Sequence, residues 1–133
     1  MKECGALQLV TADEHQIEAV LALTDGKGAE AVIDFVGEGN SIPNGLAMTR
    51  NNGAYYIVGY GGEIRISALD MITTERRIIG NLVGNYSELV ELMELANRGK
   101  VKLATNYYKL GDANTALHDL HHGKVRGRAV LVP

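Results

Sequence analysis

The sequence of 133 residues is poor in several features that would assign it to a special class of protein. It has one cysteine, Cys4, so no internal disulfide can form and a reducing, cytoplasmic location is expected. It has no block of basic residues and a formal net charge of −3, so we expect no nucleic-acid partner. No apolar run approaches the roughly 18 residues of a membrane span, and no signal-peptide pattern opens the chain, so we expect no membrane association.

The stretch of residues 53–62 organises the rest of the chain. Residues 54–58 form a short apolar run rich in aromatic and β-branched side chains, which is typical of a strand covered on both faces, and we expect Val58 to be buried. Three glycines follow this run: Gly59, Gly61 and Gly62. Ligands of open α/β sheets bind beyond the carboxyl ends of strands, so this strand end is the first candidate site, although the glycines alone would also suit a plain loop.

Extended and helical patterns alternate along the chain. The predicted extended segments are residues 7–10, 29–36, 54–58, 64–69, 77–83, 103–110 and 128–132. Two short helical turns are predicted, at residues 1–6 and 69–75. Four helices are predicted: one that starts at a Thr11–Glu14 capping box, one from Ser41 to residues 51–53, one capped by Asn85 or Ser87, and one that begins at Asp112. The last helix is expected to direct Ala113, Ala116, Leu117 and Leu120 inward. The alternation predicts an α/β fold, namely the second half of a doubly wound, Rossmann-type parallel sheet with a short C-terminal helix–strand tail.

The turn after the second predicted strand nearly matches the glycine fingerprint of dinucleotide-binding proteins. It carries Gly37 and Gly39, but Ile42 occupies the place of the third glycine, and the Glu38 carboxylate would repel a pyrophosphate. We therefore interpret this segment as a strand-end turn on the adenosine side of a site rather than as a phosphate loop. Asp34, an acid within an apolar strand, is expected to accept hydrogen bonds from backbone donors rather than to catalyse.

Three histidines, His118, His121 and His122, fall within one predicted helix, where spacings of three and four residues bring pairs of them onto one face. Zinc requires a closed set of four ligands, and only Asp119 is a further local candidate, so we interpret these histidines as exposed helix residues and expect no metal site. Cys4 has no CxxC partner and suits a small hydrophobic residue better than a nucleophile.

Four stretches of sequence carry a family resemblance when they are taken together in order. They are residues 26–37, residues 53–59, residues 79–84 with the helix of residues 88–100, and residues 113–120 with residues 122–133. In order, they are similar to the fourth, fifth and sixth cofactor-domain strands and the closing helix and strand of medium-chain, zinc-type alcohol dehydrogenases, in the C-terminal part of that family. The resemblance implies a partial dinucleotide-binding (Rossmann) domain in residues 1–102 and, in residues 103–133, a tail that belongs to the family's catalytic domain.

The resemblance also implies an activity and a set of cofactor contacts. The activity is NAD(P)-dependent oxidoreduction, in which hydride passes between nicotinamide and an alcohol or carbonyl carbon. The implied contacts are Phe35, Val36 and Gly37 beside the adenosine, Val58, Gly59 and Tyr60 presenting backbone to the nicotinamide carboxamide, Asn81, Leu82 and Val83 against the nicotinamide side, and Arg128 near the pyrophosphate.

The family's remaining motifs are expected upstream of Met1. These are the glycine fingerprint, the acidic residue for the ribose, the catalytic zinc ligands and the structural-zinc cysteines. We therefore interpret the chain as a C-terminal fragment or the product of a truncated gene, inactive alone, with weak or absent binding of NAD or NADP and with zinc only in the missing N-terminal part. Two alternatives stay open: a non-catalytic assembly module of the same fold, and half of another Rossmann-like domain such as a methyltransferase, against which the terminal Gly-Arg-Ala-Val-Leu-Val-Pro argues.

Residues 64–69 alternate apolar and polar side chains, which predicts a half-exposed strand at the sheet edge beside residues 77–83. An edge strand is a template for pairing with another chain, and the resembled family joins two cofactor domains in this region, so a homodimer is expected. The alternative is that Glu63 and Arg65 guard the edge and keep the chain monomeric.

Overall fold

The computed structural model describes residues 5–133. The predictions for the opening turn and for Cys4 fall at least partly on residues 1–4 and so lie outside the described residues. The chain forms two compact units, the first ending at Val83 and the second beginning at Gly84. The proposed domain boundary after residue 102 follows the resembled family and stays a prediction.

The first unit contains a three-stranded parallel sheet and three helices. The helices are α1 (Gln16–Leu23), α2 (Ser41–Met48) and α3 (Ala68–Thr74), and the strands are β1 (Ala29–Asp34), β2 (Thr49–Ile57) and β3 (Arg77–Gly80). The strand order is β1-β2-β3, with Ile33 opposite Tyr56 and Tyr56 opposite Ile79. Each strand is separated from the next by a helix, as parallel pairing requires, and the predicted α/β fold with a parallel sheet is confirmed.

The second unit contains two helices and a pair of parallel strands. Its elements are α4 (Tyr86–Asn97), β4 (Thr105–Lys109), a 3-10 turn (Leu110–Asp112), α5 (Ala113–His121) and β5 (Arg128–Val132). Asn85 caps α4 in a capping box: its side chain accepts from the Glu88 N–H at 3.0 Å, and the Glu88 carboxylate accepts from the Asn85 N–H at 2.7 Å. Of the two predicted caps, Asn85 is therefore the one used and Ser87 is not.

The core of the first unit lies between α2 and the sheet. Ile42, Leu46 and the fully buried Tyr55 form it. Gly45 makes this packing possible, because a Cβ at that position would lie 2.4 Å from the Tyr55 ring. The large ring of β2 thus lies directly against the backbone of α2, which fixes the helix over the centre of the sheet.

The predictions for residues 7–14 were wrong in two respects. Residues 7–10 pair with no strand of the described chain, and Leu7 is 93% exposed. The Thr11–Glu14 capping box does not form; α1 begins later, after His15, without a side-chain cap. The Asp13 carboxylate instead accepts from the His15 N–H at 2.9 Å, and this local turn takes the place of a cap.

The Asn-Asn-Gly sequence at residues 51–53 was predicted to end a helix, and this prediction was also wrong. It lies inside β2 rather than after a helix, because α2 passes straight into the strand at Thr49, whose hydroxyl donates to the Gly45 carbonyl at 2.7 Å. The register between β1 and β2 shifts beside this signal, and Asn52 has a φ of +58°. Asn and Gly tolerate that conformation, so the turn signal forms an irregularity within the strand.

Several strand predictions were too long or misplaced. Residues 64–69, predicted as a half-exposed edge strand, form no strand: Ser67 caps α3 by accepting from the Asp70 N–H at 3.0 Å, and the last two residues of the segment lie in that helix. The first and third strands of the sheet end at Asp34 and Gly80, before the predicted residues 36 and 83. Val58 follows the end of β2 and is 39% exposed, so the prediction that it is buried was wrong.

The inward face predicted for α5 is confirmed only at its centre. Ala116 is buried, whereas Leu117 and Leu120 are 64% and 53% exposed. The second unit offers this helix only the short β4–β5 pair, which is too small to cover a full apolar face.

Within the described chain, no helix combines the length and the apolar character that crossing a membrane would require.

Candidate functional site

Asp34 closes the carboxyl end of β1. It is 7% exposed, and its Oδ1 accepts from the backbone N–H groups of Val36 at 2.8 Å and Gly37 at 3.0 Å. The bond from Gly37 is buried and the bond from Val36 is partly buried, and backbone donors removed from water need such partners. The prediction that this acid satisfies backbone donors is confirmed.

The second oxygen of the same carboxylate links three elements. Oδ2 accepts from the Ser41 hydroxyl at 2.9 Å, at the start of α2, and from the Tyr55 hydroxyl at 2.5 Å, on β2. Burial raises the pKa of Asp34, but the Tyr55 hydroxyl, the two turn amides and the Ser41 hydroxyl together hold that pKa below its ordinary value. Burial, and then the bond to Asp34, raise the pKa of Tyr55. The carboxylate is therefore charged and fully engaged, which suits a structural role.

This arrangement also decides how the turn before α2 is built. The amides that would face a phosphate in a glycine fingerprint donate to Asp34 instead. Ile42, in the place of the third glycine, is 4% exposed and belongs to the core. The segment is a strand-end turn held from inside by a carboxylate, in agreement with the interpretation of its sequence.

The ends of β1 and β2 touch along their backbones just beyond the sheet. A Cβ on Gly37 would lie 2.1 Å from the Gly59 carbonyl oxygen, and a Cβ on Gly59 would lie 2.3 Å from the Val36 carbonyl carbon. The N–H groups of Val58 and Gly59 donate to the Asp34 carbonyl at 2.8 and 3.0 Å. The predicted adenosine and carboxamide segments are thus brought together, and only glycine allows that approach.

A groove opens between the ends of β2 and β3. Its volume is about 380 Å³, and its lining comprises Ile57, Val58, Gly59, Tyr60, Gly80, Asn81 and Leu82. Asn81 holds the β3 side of the groove in place. Its N–H donates to the Ile57 carbonyl at 2.9 Å, and its side-chain amide donates to the Ile79 carbonyl at 3.1 Å. Five of the predicted cofactor residues therefore share one groove.

The other predicted residues lie around or apart from this groove. Phe35 is 74% exposed next to the β1 end, and Val83 follows Leu82 with a φ of +39° and 95% exposure. Arg128 lies in the second unit at the start of β5, where its N–H donates to the Ala104 carbonyl at 2.9 Å.

The prediction missed Ser41 and Tyr55 as partners of Asp34, because a tyrosine within an apolar run gives no sign that its hydroxyl has a buried acceptor.

The side chains of His118 and His121 on α5, and of His122 directly after it, are exposed. The rings of His118 and His122 are 4.0 Å apart between centroids, and Nδ1 of His122 lies 2.8 Å from the His118 carbonyl oxygen. Across residues 5–133, no group of three or more histidine, cysteine, aspartate or glutamate side chains is placed to hold a metal ion.

Comparison with known proteins gives matches over most of the chain. The family model described as "Zinc-binding dehydrogenase" matches residues 1–98. An NAD-dependent alcohol dehydrogenase of Sulfurisphaera tokodaii is 36% identical over 135 residues, which are 99% of this chain and 39% of the relative. Another, from Sulfolobus acidocaldarius, is 40% identical over 117 residues, which are 86% of this chain and 34% of the relative.

A solved structure gives the same result in three dimensions. The crystal structure of the alcohol dehydrogenase from the hyperthermophilic archaeon Aeropyrum pernix matches with a TM-score of 0.89 and 39% sequence identity. The match covers 99% of this chain and 38% of that one. This chain therefore spans less than two fifths of the length of these relatives.

Proposed function

Because the chain belongs to the zinc-binding dehydrogenase family, we propose that it forms the nicotinamide side of the cofactor site in an NAD(P)-dependent, alcohol dehydrogenase-like oxidoreductase. The observation that carries this proposal is the groove between the ends of β2 and β3. It lies at the carboxyl edge of a parallel sheet, where open α/β folds bind their ligands. The family match supports a nicotinamide cofactor as the ligand of this groove.

The residues present fit one end of a dinucleotide better than the whole of it. A volume of about 380 Å³ lies at the small end of the range for ligand pockets, which suits a single ring with its carboxamide. A Cβ on Gly80 would meet nothing within 4 Å, so the groove is open where a flat ring would enter. The turn before α2 supplies no phosphate cradle, since the Val36 and Gly37 amides already donate to Asp34.

We assign the chain's residues to binding and orientation. Backbone groups of Val58, Gly59 and Tyr60 would hold the carboxamide, and the exit of β3, which is Asn81, Leu82 and Val83, would lie against the nicotinamide. Phe35, Val36 and Gly37 would flank the adenosine, and the Arg128 guanidinium would bind pyrophosphate oxygens. The nicotinamide, when bound, would give or take the hydride of an alcohol or carbonyl substrate.

Hydrogen bonds among the strand ends would keep this site in shape. Asp34 joins the ends of β1 and β2 through its carbonyl and its carboxylate, and Asn81 joins the ends of β2 and β3. A site that is rigid before binding loses less conformational entropy when the ligand arrives.

We further propose that the 133-residue chain alone is inactive and binds NAD(H) weakly, because its groove offers contacts to only part of the dinucleotide. With a single cysteine, the chain suits a reducing cytoplasmic location. Any zinc would be held by residues of the parent protein outside this chain.

A second candidate function is assembly. β3 pairs with β2 on one side, and its other edge has no strand partner among residues 5–133. We propose that two copies pair through this edge about a two-fold axis as a homodimer, since one self-complementary edge is enough.

The first proposal is tested by mapping backbone amide shifts of the chain during titration with NADH, and separately with ADP-ribose, which lacks the nicotinamide. We expect NADH to shift the amides of Val58, Gly59, Tyr60 and Asn81, and ADP-ribose to leave them unchanged. Equal shifts with both ligands, or shifts confined to the second unit, would contradict the assignment of this groove.

A further inference from the structure

A second pocket lies at the opposite, amino-terminal edge of the sheet in the first unit. Lys27 precedes β1, Thr49 and Arg50 begin β2, and Arg76 directly precedes β3. These residues help to line a pocket of about 490 Å³. Because the three strands are parallel, their amino ends lie at the edge of the sheet away from the groove assigned to the cofactor.

The pocket is rich in cations and contains no carboxylate in its lining. Lys27, Arg50 and Arg76 are its charged side chains. Glu30 forms an ion pair with Nη2 of Arg50 from a side chain that is 81% exposed, and among the described residues no ion pair holds Lys27 or Arg76. The three cations are therefore only partly neutralised by the residues that the structure describes.

Two of these cations have a buried donor without an acceptor. The Nε atoms of Arg50 and Arg76 are shielded from solvent and have no hydrogen-bond partner within the described part of the chain. The neighbouring Thr49 hydroxyl donates to the Gly45 carbonyl, and its oxygen accepts from neither Nε atom. A buried guanidinium N–H without an acceptor is unfavourable, and neither arginine has its donors saturated by the described part of the chain.

We propose that this pocket is a binding site for a phosphate group, either as inorganic phosphate or as a phosphate ester. A guanidinium presents parallel N–H donors that match paired phosphate oxygens, and a lysine adds a point charge. Two arginines and one lysine around one pocket fit the double charge of phosphate. The site lies at the other edge of the sheet from the proposed nicotinamide groove and does not depend on that assignment.

The test is calorimetric titration of the 133-residue chain with inorganic phosphate and with glucose 6-phosphate, at constant ionic strength set by sodium chloride. We expect saturable binding of at least one ligand, and the tighter of the two identifies the source of the phosphate group. In Arg76→Gln we expect the dissociation constant to rise at least about tenfold. In the control Arg65→Gln, which removes an exposed arginine paired with Glu63, it should stay within about twofold.

Lys27→Gln provides a second variant should Arg76→Gln fail to fold. Lys27 is exposed, so its replacement is expected to preserve the fold and to weaken phosphate binding about threefold or more. The proposal is overturned if neither ligand gives saturable heat, or if Arg65→Gln weakens binding as much as the pocket variants do.

Discussion

The hydroxyl of Tyr55 on β2 lies 2.5 Å from the Asp34 carboxylate that ends β1. Tyr55 is fully buried and Asp34 nearly so. This bond links the central strand to the turn from which Val36 and Gly37 emerge, and so it joins the core of the first unit to the edge of the candidate site. Its removal should therefore affect both stability and the geometry of the turn.

Replacing Tyr55 with phenylalanine should destabilise the chain by about 1–3 kcal/mol, since the buried carboxylate loses a donor and keeps its charge. Urea unfolding at pH 7 measures the change. The control is Tyr56→Phe on the next residue of the same strand, whose hydroxyl has no bond within the described chain, and it should cost under about 0.5 kcal/mol. Equal effects of the two substitutions would show that the Tyr55–Asp34 bond contributes nothing.

Replacing Asp34 with asparagine should give a loss of stability that depends on pH. The folded-state pKa of Asp34 is lowered below the unfolded value of about 3.9, so its charged form stabilises the fold above about pH 4, and that contribution is lost as the pH falls through the folded pKa. The difference in free energy of unfolding between the unsubstituted chain and Asp34→Asn should therefore shrink below about pH 4. Exposed Asp112, which makes no side-chain cap bond, provides the control at neutral pH, where Asp112→Asn should cost under about 0.5 kcal/mol. A difference for Asp34→Asn that stays constant from neutral pH to pH 2.5 would contradict this account.

Replacing Gly37 with alanine should destabilise the fold by at least about 3 kcal/mol, because backbone strain and a clash with a carbonyl add together. Gly37 has a φ of +64°, and its new Cβ would lie 2.1 Å from the Gly59 carbonyl oxygen. Gly39 has a similar φ of +55° but open space around it, so Gly39→Ala isolates the strain alone. That control should cost about 1–2 kcal/mol. Equal urea midpoints for the two variants would rule out the close contact between the ends of β1 and β2.

Replacing Gly80 with proline should weaken the proposed homodimer. The Asn81 N–H donates to Ile57 of β2, and N–H groups alternate in direction along a strand, so the Gly80 N–H points to the free edge of β3. Proline removes that donor in both copies, which should raise the dimer dissociation constant by roughly tenfold to a hundredfold. Sedimentation at several concentrations should show the unsubstituted 133-residue chain at twice its mass of 14.3 kDa. Gly80→Ala keeps the donor and should remain dimeric. An unsubstituted chain that stays monomeric at high concentration would contradict the proposal.

The sequence predicted where the five strands of the described chain lie but not where they end, and it also predicted strands at residues 7–10 and 64–69 that do not form. The apolar run at residues 54–58 located the central strand, yet β2 begins at Thr49 and ends at Ile57. Hydrophobic pattern reports which face is covered, whereas a strand ends where its hydrogen-bonding partners end. Val58 illustrates the difference: it belongs to the apolar run but lies beyond the sheet and is 39% exposed. Substitutions meant to test the core should therefore target Tyr55.

The candidate site was predictable where a general rule of parallel sheets applied. The rule that ligands bind at carboxyl ends of strands pointed to Gly59 and its neighbours, and the groove is there. The cluster of Lys27, Arg50 and Arg76 followed no such rule, because each residue comes from a different strand start and only the fold brings them together. Buried polar partners such as Tyr55 and Ser41 are hidden for the same reason.

The most direct test of the central proposal is calorimetric titration of the 133-residue chain with NADH, accompanied by an assay for dehydrogenase activity. The chain would supply the nicotinamide groove and the adenosine flank but no phosphate cradle, so we predict a dissociation constant weaker than micromolar, which is a binding free energy less favourable than about −8 kcal/mol. We also predict no turnover of alcohol or carbonyl substrates. A micromolar or tighter constant, or measurable turnover by this chain alone, would contradict the account.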